Sequence, residues 1–588
     1  MLASSRWLQL PLCIFVALVI NSTALKPKIL SAIAIVITLL LAYANSLSNG
    51  FVWLDQAEIL KGQLIISDFS EFVSMLIFDD SNYAGYHRPM YNLMHTVDYW
   101  LWGDQAWGFH LSSLVLHTFN VLLIRSILVN FGGSRLKALL IALAFGLLPC
   151  HTATVSLIHS KADLLACLFI LLPIWFYSRT TDTIIQRPST RQILMWCGFL
   201  LLALLSKEVA IMLPLFIAGL WVWLQRSGVR LPKSLFIYPA VVSFVFVLIR
   251  FSTTDTVVNE DAIGLTDRLL TFVPVYVNYI VRTLSSYELT TNDAVLLWRH
   301  MDAGTYGLYL LTFIALLVGQ VYLARKSTAI AAGFLWFNVF LIPVSQLIPI
   351  LHFRADRYLY IPSIGFVIAA AYIFLQYYKA RQWTKYRTAI LGGAILLFFV
   401  AALRIWDRNQ DFASDQIMFE SLIATHPECR EAHGFVGNHY LQKGDYDRAL
   451  VHINKALADQ PRHYSFVDKK SNYGNLGVIY LYQGKTKEAV EVFTKLKAAG
   501  DYNPEVLFNL GICYKKLMRY GEAVANLEEY LTYSPDNLDA LFNIGAIAAE
   551  MGDQDKVQRY FGRYLELNPN SAYRKDVEAI LRTAGRSN

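Results

Sequence analysis

Charged residues are scarce in this sequence. Only 16% of its 588 residues are Asp, Glu, Lys or Arg, whereas 55% are apolar, and the mean hydropathy is +0.40. This composition excludes a soluble globular protein, and the length exceeds that of a single domain. The chain is therefore predicted to be a polytopic membrane protein with an attached domain.

Recognisable ligand and nucleophile motifs are also missing. The six cysteines show no metal-binding spacing, and the sequence has no glycine-rich phosphate loop, zinc signature or serine nucleophile elbow. We therefore expect neither a resident metal nor a cofactor. The formal net charge of +7 would suggest nucleic acid in a soluble protein, but much of the basic excess lies in short loops between apolar runs. It indicates membrane orientation, and no nucleic-acid partner is expected.

Apolar runs follow one another through residues 1–404. Residues 7–21 could be a signal-like segment or a short first span, and we favour a retained membrane helix. The whole series predicts a bundle of about eleven or twelve spans, several of them shorter than the roughly 20 residues that one crossing needs. The later runs cover residues 29–46, 108–129, 136–150, 161–178, 193–206, 208–225, 234–251, 306–324, 329–349, 358–378 and 386–404.

Every second loop between these runs is basic, which indicates the cytoplasmic side. The loops of opposite phase, residues 47–107, 151–160, 252–305 and 350–357, are then expected outside the cytoplasm, together with everything after the last run. The basic residues are Arg135, Lys137, Arg179, Arg187, Arg191, Arg226, Arg230, Lys233, Arg325, Lys326, Lys379, Arg381, Lys385 and Arg387.

The tail, residues 405–588, contains an internal repeat. Glycines recur at Gly437, Gly477, Gly511 and Gly545, which gives spacings of about 40, 34 and 34 residues. A 34-residue period is typical of tetratricopeptide helix pairs, in which small residues let two helices pack closely. The sequence therefore predicts an extracytoplasmic solenoid of about four repeats, which binds peptides in its groove or acts as a spacer.

The first long loop carries a candidate general base. Asp55 lies a few residues beyond the 29–46 run, and Glu58 follows one helical turn later. A carboxylate there could take a proton from an acceptor hydroxyl near the membrane surface. The alternative is a solvated loop acid, which applies equally to Asp79 and Asp80.

Arginines in two of these loops could bind phosphate, because a guanidinium suits phosphate oxygens. Arg88 follows His87, and Arg354 and Arg357 lie three residues apart in a loop where the positive-inside tendency predicts few arginines. For Arg88, the alternative to phosphate binding is that its side chain only extends its charge to the membrane surface.

Charged residues also occur beside hydrocarbon at Lys161, Asp163, Lys207 and Glu208. Such positions are costly unless the charges are paired or functional, so structural ion pairs and function both remain open.

Together, these residues resemble the transmembrane and tetratricopeptide-repeat-containing (TMTC) family, O-mannosyltransferases of the GT-C superfamily, along nearly the whole chain. The chain departs from the family pattern at three positions. The family often has an acid at the positions of Leu54 and Ala153, and an arginine at the position of Lys161. The matching stretches are Asn49 to Asp55, Tyr86 to Met90, Trp107 to Leu111 with His117 and Asn120, Pro149 to Val155, Lys161 to Leu165, Ser206 to Glu208 and Ala355 to Ser363, followed by the repeats.

The resemblance implies an all-α fold, with a GT-C type transmembrane domain over residues 1–404 and a tetratricopeptide solenoid over residues 405–588. It implies transfer of a monosaccharide, expected to be mannose, from a polyprenyl-phosphate-linked donor to a hydroxyl of an exported protein, with inversion and without metal. Asp55 is then the expected base. Donor-phosphate ligands are expected at Arg88, Arg354, Arg357 and Lys161, with support from His87, His110, His151, Glu208, Asp356 and Tyr358.

Two alternatives remain open at the level of the sequence. The acceptor could be a lipid-linked or envelope glycan, or the chain could be a non-catalytic scaffold whose repeats bind a partner protein. The expected partners are the lipid-linked donor, membrane lipids and an acceptor or partner protein in the repeat groove. Residues 405–588 contain no Asn-x-Ser/Thr acceptor, which favours a bacterial inner membrane over the endoplasmic reticulum.

Overall fold

The structure is a computed structural model that describes residues 27–60, 65–78, 87–180, 188–226, 228–229, 231–253, 263–377, 380–459, 462–500 and 502–584. The predicted run at 7–21 and the acidic pair Asp79-Asp80 lie outside these residues. The described part is almost entirely helical, with one pair of two-residue strands. The predicted all-α class is confirmed.

The chain divides into two compact units. The membrane unit comprises residues 1–426 and 462–464, and the repeat unit comprises residues 427–461 and 465–588. The predicted boundary between residues 404 and 405 falls within a helix of the membrane unit, Ala380–Asn409.

Helices of the membrane unit are numbered here in chain order. They are α1 (Pro27–Tyr43), α2 (Phe69–Phe78), α3 (Pro89–Trp102), α4 (Ala106–Asn130), α5 (Arg135–Gly146), α6 (Thr152–Ser156), α7 (Lys161–Thr180), α8 (Thr190–Leu204), α9 (Met212–Arg226), α10 (Ser234–Thr253), α11 (Leu265–Ser285), α12 (Ala303–Ala324), α13 (Thr328–Leu341), α14 (Tyr360–Tyr377), α15 (Ala380–Asn409) and α16 (Asp415–Thr425).

Apolar helices coincide with each of the predicted runs after residue 28. Seven are long and apolar enough to cross a membrane within the described residues, and the bent pair Arg135–Gly146 and Pro149–Ser156 could form an eighth span. Three further apolar helices, Thr190–Leu204, Ser234–Arg250 and Thr328–Val344, are shorter. The total of eleven or twelve spans therefore stays a prediction, because length and composition identify only seven or eight.

Close backbone contact joins α13 to α14. A Cβ atom added at Gly333 would lie 2.5 Å from the Gly365 carbonyl oxygen, and one at Gly365 would lie 2.2 Å from the Gly333 carbonyl oxygen. Glycine at both positions lets the two helices approach, as small residues do in membrane helix pairs. This packing fixes the start of α14, next to the stretch that carries Arg357.

Helices α2, α3 and α11 lie in the loops predicted to face one side of the membrane. Helix α11 contributes Val275, Tyr276 and Tyr279 to a buried cluster with Phe337 and Phe353. The short strands β1 (Val295–Leu296) and β2 (His463–Tyr464) pair in antiparallel register beside this cluster. The second long loop is therefore folded structure, and its buried residues share one core with α13.

The repeat unit is a series of helix pairs. A Cβ atom at Gly477 would lie 2.5 Å from the Phe493 ring, and the other three repeat glycines make similarly close approaches to the following helix. The predicted tetratricopeptide repeats are confirmed, as is the reason for their glycines. The helices are α17 (Arg430–Gln442), α18 (Tyr446–Leu457), α19 (Lys469–Tyr482), α20 (Thr486–Ala499), α21 (Glu505–Lys516), α22 (Tyr520–Tyr533), α23 (Leu538–Met551), α24 (Gln554–Leu567) and α25 (Arg574–Ala584).

Candidate active site

Asp55 joins two loops of the membrane unit. It follows a turn in which Trp53 has a left-handed backbone conformation, φ 58°, unusual for a bulky residue and typical of constrained functional loops. Its two carboxylate oxygens accept the Val52 N–H at 3.1 Å and the His159 N–H at 3.0 Å. Burial raises the pKa of Asp55 well above its usual value, although these two hydrogen bonds oppose the change.

The enclosure of Asp55 excludes one of the two interpretations made from the sequence. Its exposed fraction is 0%, so it is not a solvated loop acid. Each oxygen accepts one backbone N–H group, and the role of Asp55 as the base of the reaction stays a prediction. Its evident role is to hold the loop before α7, which carries His159, against the first loop.

Glu58, Tyr91 and His159 form a hydrogen-bonded group beside Asp55. The Tyr91 hydroxyl donates to one Glu58 oxygen at 2.6 Å, and the His159 Nδ1 atom lies 3.0 Å from the other. We refer to Asp55, Glu58, Tyr91 and His159 as the acid–histidine cluster. Glu58 and Tyr91 are buried, whereas His159 retains partial exposure. His159 is therefore the most accessible side chain of the cluster.

Trp53 connects this cluster to Arg357. Its ring centroid lies 5.2 Å from the His159 ring and 5.8 Å from the His352 ring, in edge-to-face contacts. The Arg357 guanidinium carbon lies 5.4 Å from the Trp53 ring centroid, within the range of a cation–π contact. One side chain thus contacts both a histidine linked to two acids and a buried cation.

Arg357 is a cation without a carboxylate partner among the described residues. Its guanidinium donates to the Thr291 carbonyl oxygen at 3.1 Å and to Asn292 Oδ1 at 2.7 Å, and it lies 3.3 Å from His352 Nδ1. The Tyr358 ring also lies 5.1 Å from it. A buried charge held only by neutral groups is costly. An incoming anion would offset that cost.

Lys207, which precedes Glu208, interacts with both Arg88 and Arg357 and forms an ion pair with Asp163 at 2.6 Å. Arg88 donates to Glu208 through Nε at 3.1 Å and Nη2 at 2.9 Å, and Arg250 donates to the same carboxylate at 3.1 Å. Burial lowers the pKa of Lys207; Asp163 opposes this change, whereas Arg88 and Arg357 add to it. Glu208 was predicted to support the site. Because it is shared by Arg88 and Arg250, it neutralises only one of these two charges, and positive charge remains beside Arg357.

Arg354 has a carboxylate partner, unlike Arg357 among the described residues, which argues against the predicted two-arginine clamp. Its Nε atom donates to Asp293 at 2.8 Å, and Arg282 bridges Asp293 and Asp356 at 2.8 and 2.9 Å. We call these residues, with His426 at 3.4 Å from Asp293, the balanced cluster. Two arginines face two carboxylates here, so Arg354 is neutralised and Asp356 has a structural role.

Lys161 also departs from the prediction of a donor-phosphate ligand. Its ammonium group forms an ion pair with Asp98, and both side chains are 0% exposed. The Ser112 hydroxyl donates to the other Asp98 oxygen at 2.6 Å. Since the pair is enclosed and satisfied, Lys161 fixes α7 to α3 and is not available to a phosphate in this conformation.

The three predicted supporting histidines are buried in separate places. His110 Nε2 lies 3.4 Å from the Gly50 carbonyl oxygen, and His151 Nε2 lies 2.9 Å from the Ser363 hydroxyl. His87 is 5% exposed and precedes Arg88. His110 and His151 therefore stabilise the loops around the site instead of facing its cations.

Several residues of this region escaped sequence reasoning. His159, Tyr91 and Asp98 were not singled out, and neither was the pair Arg282 and Asp293. A signal did exist for His159, which lies two residues before the predicted Lys161. Across the described residues, no group of three or more His, Cys, Asp or Glu side chains could hold a metal ion.

Comparison with known proteins finds similarity in both the repeat unit and the membrane unit. Tetratricopeptide repeat family models match residues 416–463, 473–505, 504–537 and 539–571. YrrB, a solved TPR protein with an unusual peptide-binding site, is 23% identical over 28% of this chain and 81% of its own, with a TM-score of 0.25.

Longer similarity extends through the membrane unit. Human protein O-mannosyl-transferase TMTC3 is 23% identical over 90% of this chain, and mouse TMTC4 is 23% identical over 70% of it. The predicted resemblance to the TMTC family is confirmed. This TMTC-like chain is an integral multi-pass membrane protein. It spans 63% of the length of TMTC3 and 64% of that of TMTC4.

Proposed function

We propose that this chain is a membrane glycosyltransferase. It moves a monosaccharide from a polyprenyl-phosphate-linked donor to a hydroxyl of an exported protein. The observation that carries the proposal is the position of Trp53, whose ring contacts both His159 and Arg357. His159 is able to accept a proton, and Arg357 is an uncompensated cation among the described residues. Both therefore border the same side chain, as a displacement reaction requires.

The displacement breaks the bond between the sugar and the lipid phosphate, so negative charge grows on the departing phosphate. Arg357 is the proposed ligand of that phosphate, because its guanidinium has no carboxylate partner within the described residues. Preorganised cations stabilise charge that develops in a transition state. Arg88 and Arg250 share the single carboxylate of Glu208 and leave one positive charge in excess, so the proposed reaction needs neither a metal nor a cofactor.

Mannose and inversion are the finer parts of the proposal. Relatives named protein O-mannosyl-transferases, similar over 90% and 70% of this chain, support mannose as the sugar. A single displacement by an acceptor hydroxyl inverts the anomeric carbon. Asp55 is enclosed, so it is a poor covalent nucleophile. A single-step transfer therefore fits this site best.

The repeat unit is proposed to bind the acceptor polypeptide or a partner protein. Solenoids of this class present a concave surface on which peptides bind, and the family models match its repeats. We place the repeats outside the cytoplasm because every second loop of the membrane unit is basic. A bacterial inner membrane is the proposed location.

Transfer by purified protein tests this proposal. The full chain in nanodiscs is incubated with radiolabelled polyprenyl-phosphate mannose and serine- or threonine-containing peptides, and label on the peptide is measured. Arg357→Ala removes a hydrogen bond to a charged group, which is typically worth about 1.5–3 kcal/mol. We expect donor affinity to fall about 10- to 150-fold and transfer to fall with it.

Arg299→Ala is the matched control, because Arg299 is 45% exposed and paired with Asp267. That variant is expected to bind donor and transfer sugar as the unaltered protein does. Arg357→Lys, which keeps the charge but loses the planar fork, should fall between the two. No transfer from any polyprenyl-phosphate sugar to any hydroxyl acceptor would contradict the proposed function.

A further inference from the structure

The turn that carries Trp53 and Asp55 is held by a distant part of the membrane unit. Residues 406–415, here called the linking segment, lead from α15 into α16 and form hydrogen bonds with residues 45–53. We propose that Asp415 of this segment is a positioning residue of the proposed transfer. Its carboxylate holds the Trp53 backbone and thereby sets the positions of the Trp53 ring and of Asp55. This inference rests on the proposed function and concerns how that site is assembled.

Residues 52–55 form a tight turn. The Asp55 N–H donates to the Val52 carbonyl oxygen at 3.2 Å, and the Val52 N–H donates to the Asp55 carboxylate at 3.1 Å. Trp53, the second residue of the turn, has φ 58°, whereas the residue after it does not have a positive φ. This pattern is that of a type II′ turn, in which glycine usually occupies the second position because it has no Cβ atom. A tryptophan there needs a contact that keeps its backbone in this conformation.

The Asp415 carboxylate supplies that contact, because the Trp53 N–H donates to Asp415 Oδ1. Asp415 is the first residue of α16, and Ser414 caps that helix by accepting the Ile417 N–H. The other bonds between the linking segment and residues 45–50 join neutral amide groups. Hydrogen bonds to an ionised acceptor are roughly twice as strong as neutral ones. The charged acceptor therefore lies at the residue of the turn whose conformation is unfavourable.

The position of Trp53 affects both sides of the proposed site. Its ring centroid lies 5.2 Å from the His159 ring and 5.4 Å from the Arg357 guanidinium carbon. Asp55, the predicted base, follows two residues later in the same turn. Relaxation of Trp53 to a negative φ would move its ring and turn the Asp55 carboxylate together. A displacement of about 1 Å can lower a reaction rate about 100-fold, even when its cause lies far from the chemistry.

Asn409 provides independent support for this role of the linking segment. The residue is 0% exposed, and its side-chain amide donates to Asn45 Oδ1 at 2.8 Å and accepts the Ser156 hydroxyl at 2.6 Å. Ser156 lies three residues before His159, whose N–H donates to Asp55. The linking segment therefore contacts both chain segments that enclose the Asp55 carboxylate.

The test measures transfer by Asp415→Ala in the full chain in nanodiscs, with the radiolabelled donor and peptides. The variant removes the acceptor of the Trp53 N–H, so we expect kcat to fall about 10- to 100-fold at saturating donor and acceptor. Donor affinity should be nearly unchanged, because Arg357 is held by Thr291 and Asn292 and not by Trp53 alone. General damage to the fold would lower donor binding as well.

Two further variants define the cause of that fall. Asp415→Asn keeps an oxygen acceptor at the same place, so its kcat should lie closer to that of the unaltered protein than to that of Asp415→Ala. Asp407→Ala is the matched control, because Asp407 is 69% exposed and pairs with Arg404 within α15; its transfer should be unchanged. Equal falls in Asp415→Asn and Asp415→Ala would overturn the inference, since the lost acceptor would not be the cause.

A second measurement tests the turn itself and does not depend on activity. Glycine adopts a positive φ readily, so a Trp53→Gly chain no longer needs the Asp415 contact. Asp415→Ala should therefore lower the melting temperature in detergent more in the unaltered protein than in the Trp53→Gly background. Any effect of Asp415 on the start of α16 is common to both backgrounds and cancels in this comparison. An equal fall in both would place the role of Asp415 away from Trp53 and overturn the inference.

Failure of this inference is distinguishable from failure of the proposed function. If the unaltered protein transfers sugar and Asp415→Ala keeps its kcat within about threefold, well short of the effect of a displaced reacting group, the inference is overturned and the proposed function stands. Absence of transfer by the unaltered protein overturns both.

Discussion

The membrane unit and the repeat unit use charged residues in opposite ways. In the membrane unit, Lys161 and Asp98 are both 0% exposed, and the balanced cluster is buried. In the repeat unit, Lys495 and Glu491 form an ion pair with side chains 74% and 66% exposed. Exposed pairs contribute little to stability, whereas breaking a buried pair is costly. The charges of the membrane unit therefore fix its loops, and the apolar cores of the repeats fix the solenoid.

Breaking the Lys161–Asp98 pair should produce the largest stability change. Lys161→Met leaves Asp98 buried without its cation, and loss of one partner of a buried pair typically costs about 3–5 kcal/mol. We expect a clear fall in melting temperature for the full chain in detergent. Lys495→Met, the exposed counterpart, should leave the melting temperature unchanged.

A double variant sharpens this comparison. Lys161→Met combined with Asp98→Leu removes both charges, and apolar replacement of a buried pair is often neutral. Most of the lost stability should return. If the double variant melts as low as the single one, the shape of these side chains matters more than their charge.

Packing of the repeat glycines should give the next largest effect. Gly477→Ala adds a Cβ atom 2.5 Å from the Phe493 ring, and overpacking of a core costs about 1–3 kcal/mol. Hydrogen exchange on the full chain should show easier opening of α19 and α20.

Gly474→Ala, in the same helix, is the matched control for Gly477→Ala. A Cβ atom there meets nothing within 4 Å, so helix propensity should make opening harder by about 0.5–1 kcal/mol. Equal exchange in the two variants would contradict the role assigned to the repeat glycines.

The smallest expected effect is the contribution of the balanced cluster to the pH dependence of stability. Burial lowers the pKa of His426 from its usual value, although Asp293 opposes the change. When the pKa of a histidine is lower in the folded than in the unfolded state, the group contributes stability at pH values above its unfolded pKa of about 6.5. This contribution is lost as the pH falls below that pKa. The melting temperature should therefore fall between pH 7.5 and 5.5.

His426→Gln removes this titration and should make the fall shallower over that range. Part of the fall should remain, because burial also lowers the pKa values of His95 and His433. Asp293 titrates at lower pH: burial favours its neutral form, but Arg354, Arg282 and His426 hold its pKa below the usual value. Its contribution is lost only as pH falls through that depressed pKa. An identical fall in both proteins between pH 7.5 and 5.5 would place the titrating group elsewhere.

Local patterns predicted most of the architecture. Each apolar run after residue 28 is a helix, and the glycine period located the repeats. Both signals depend on residues close together in the chain. The site was predicted less completely: the sequence singled out Arg357 and Asp55, but it could not show that His159 lies between Glu58 and Trp53.

The sequence by itself therefore determined the membrane helices, the repeats and the loops that carry the charged residues, because hydrophobicity and periodicity act locally. Only the tertiary structure decided which charges are neutralised. Asp293, 61 positions before Arg354, cancels that arginine, while Arg357, three residues later, has only neutral partners among the described residues. Asp55 is enclosed by a backbone N–H 104 positions away. Charge compensation and burial depend on such distant contacts, which no local pattern encodes.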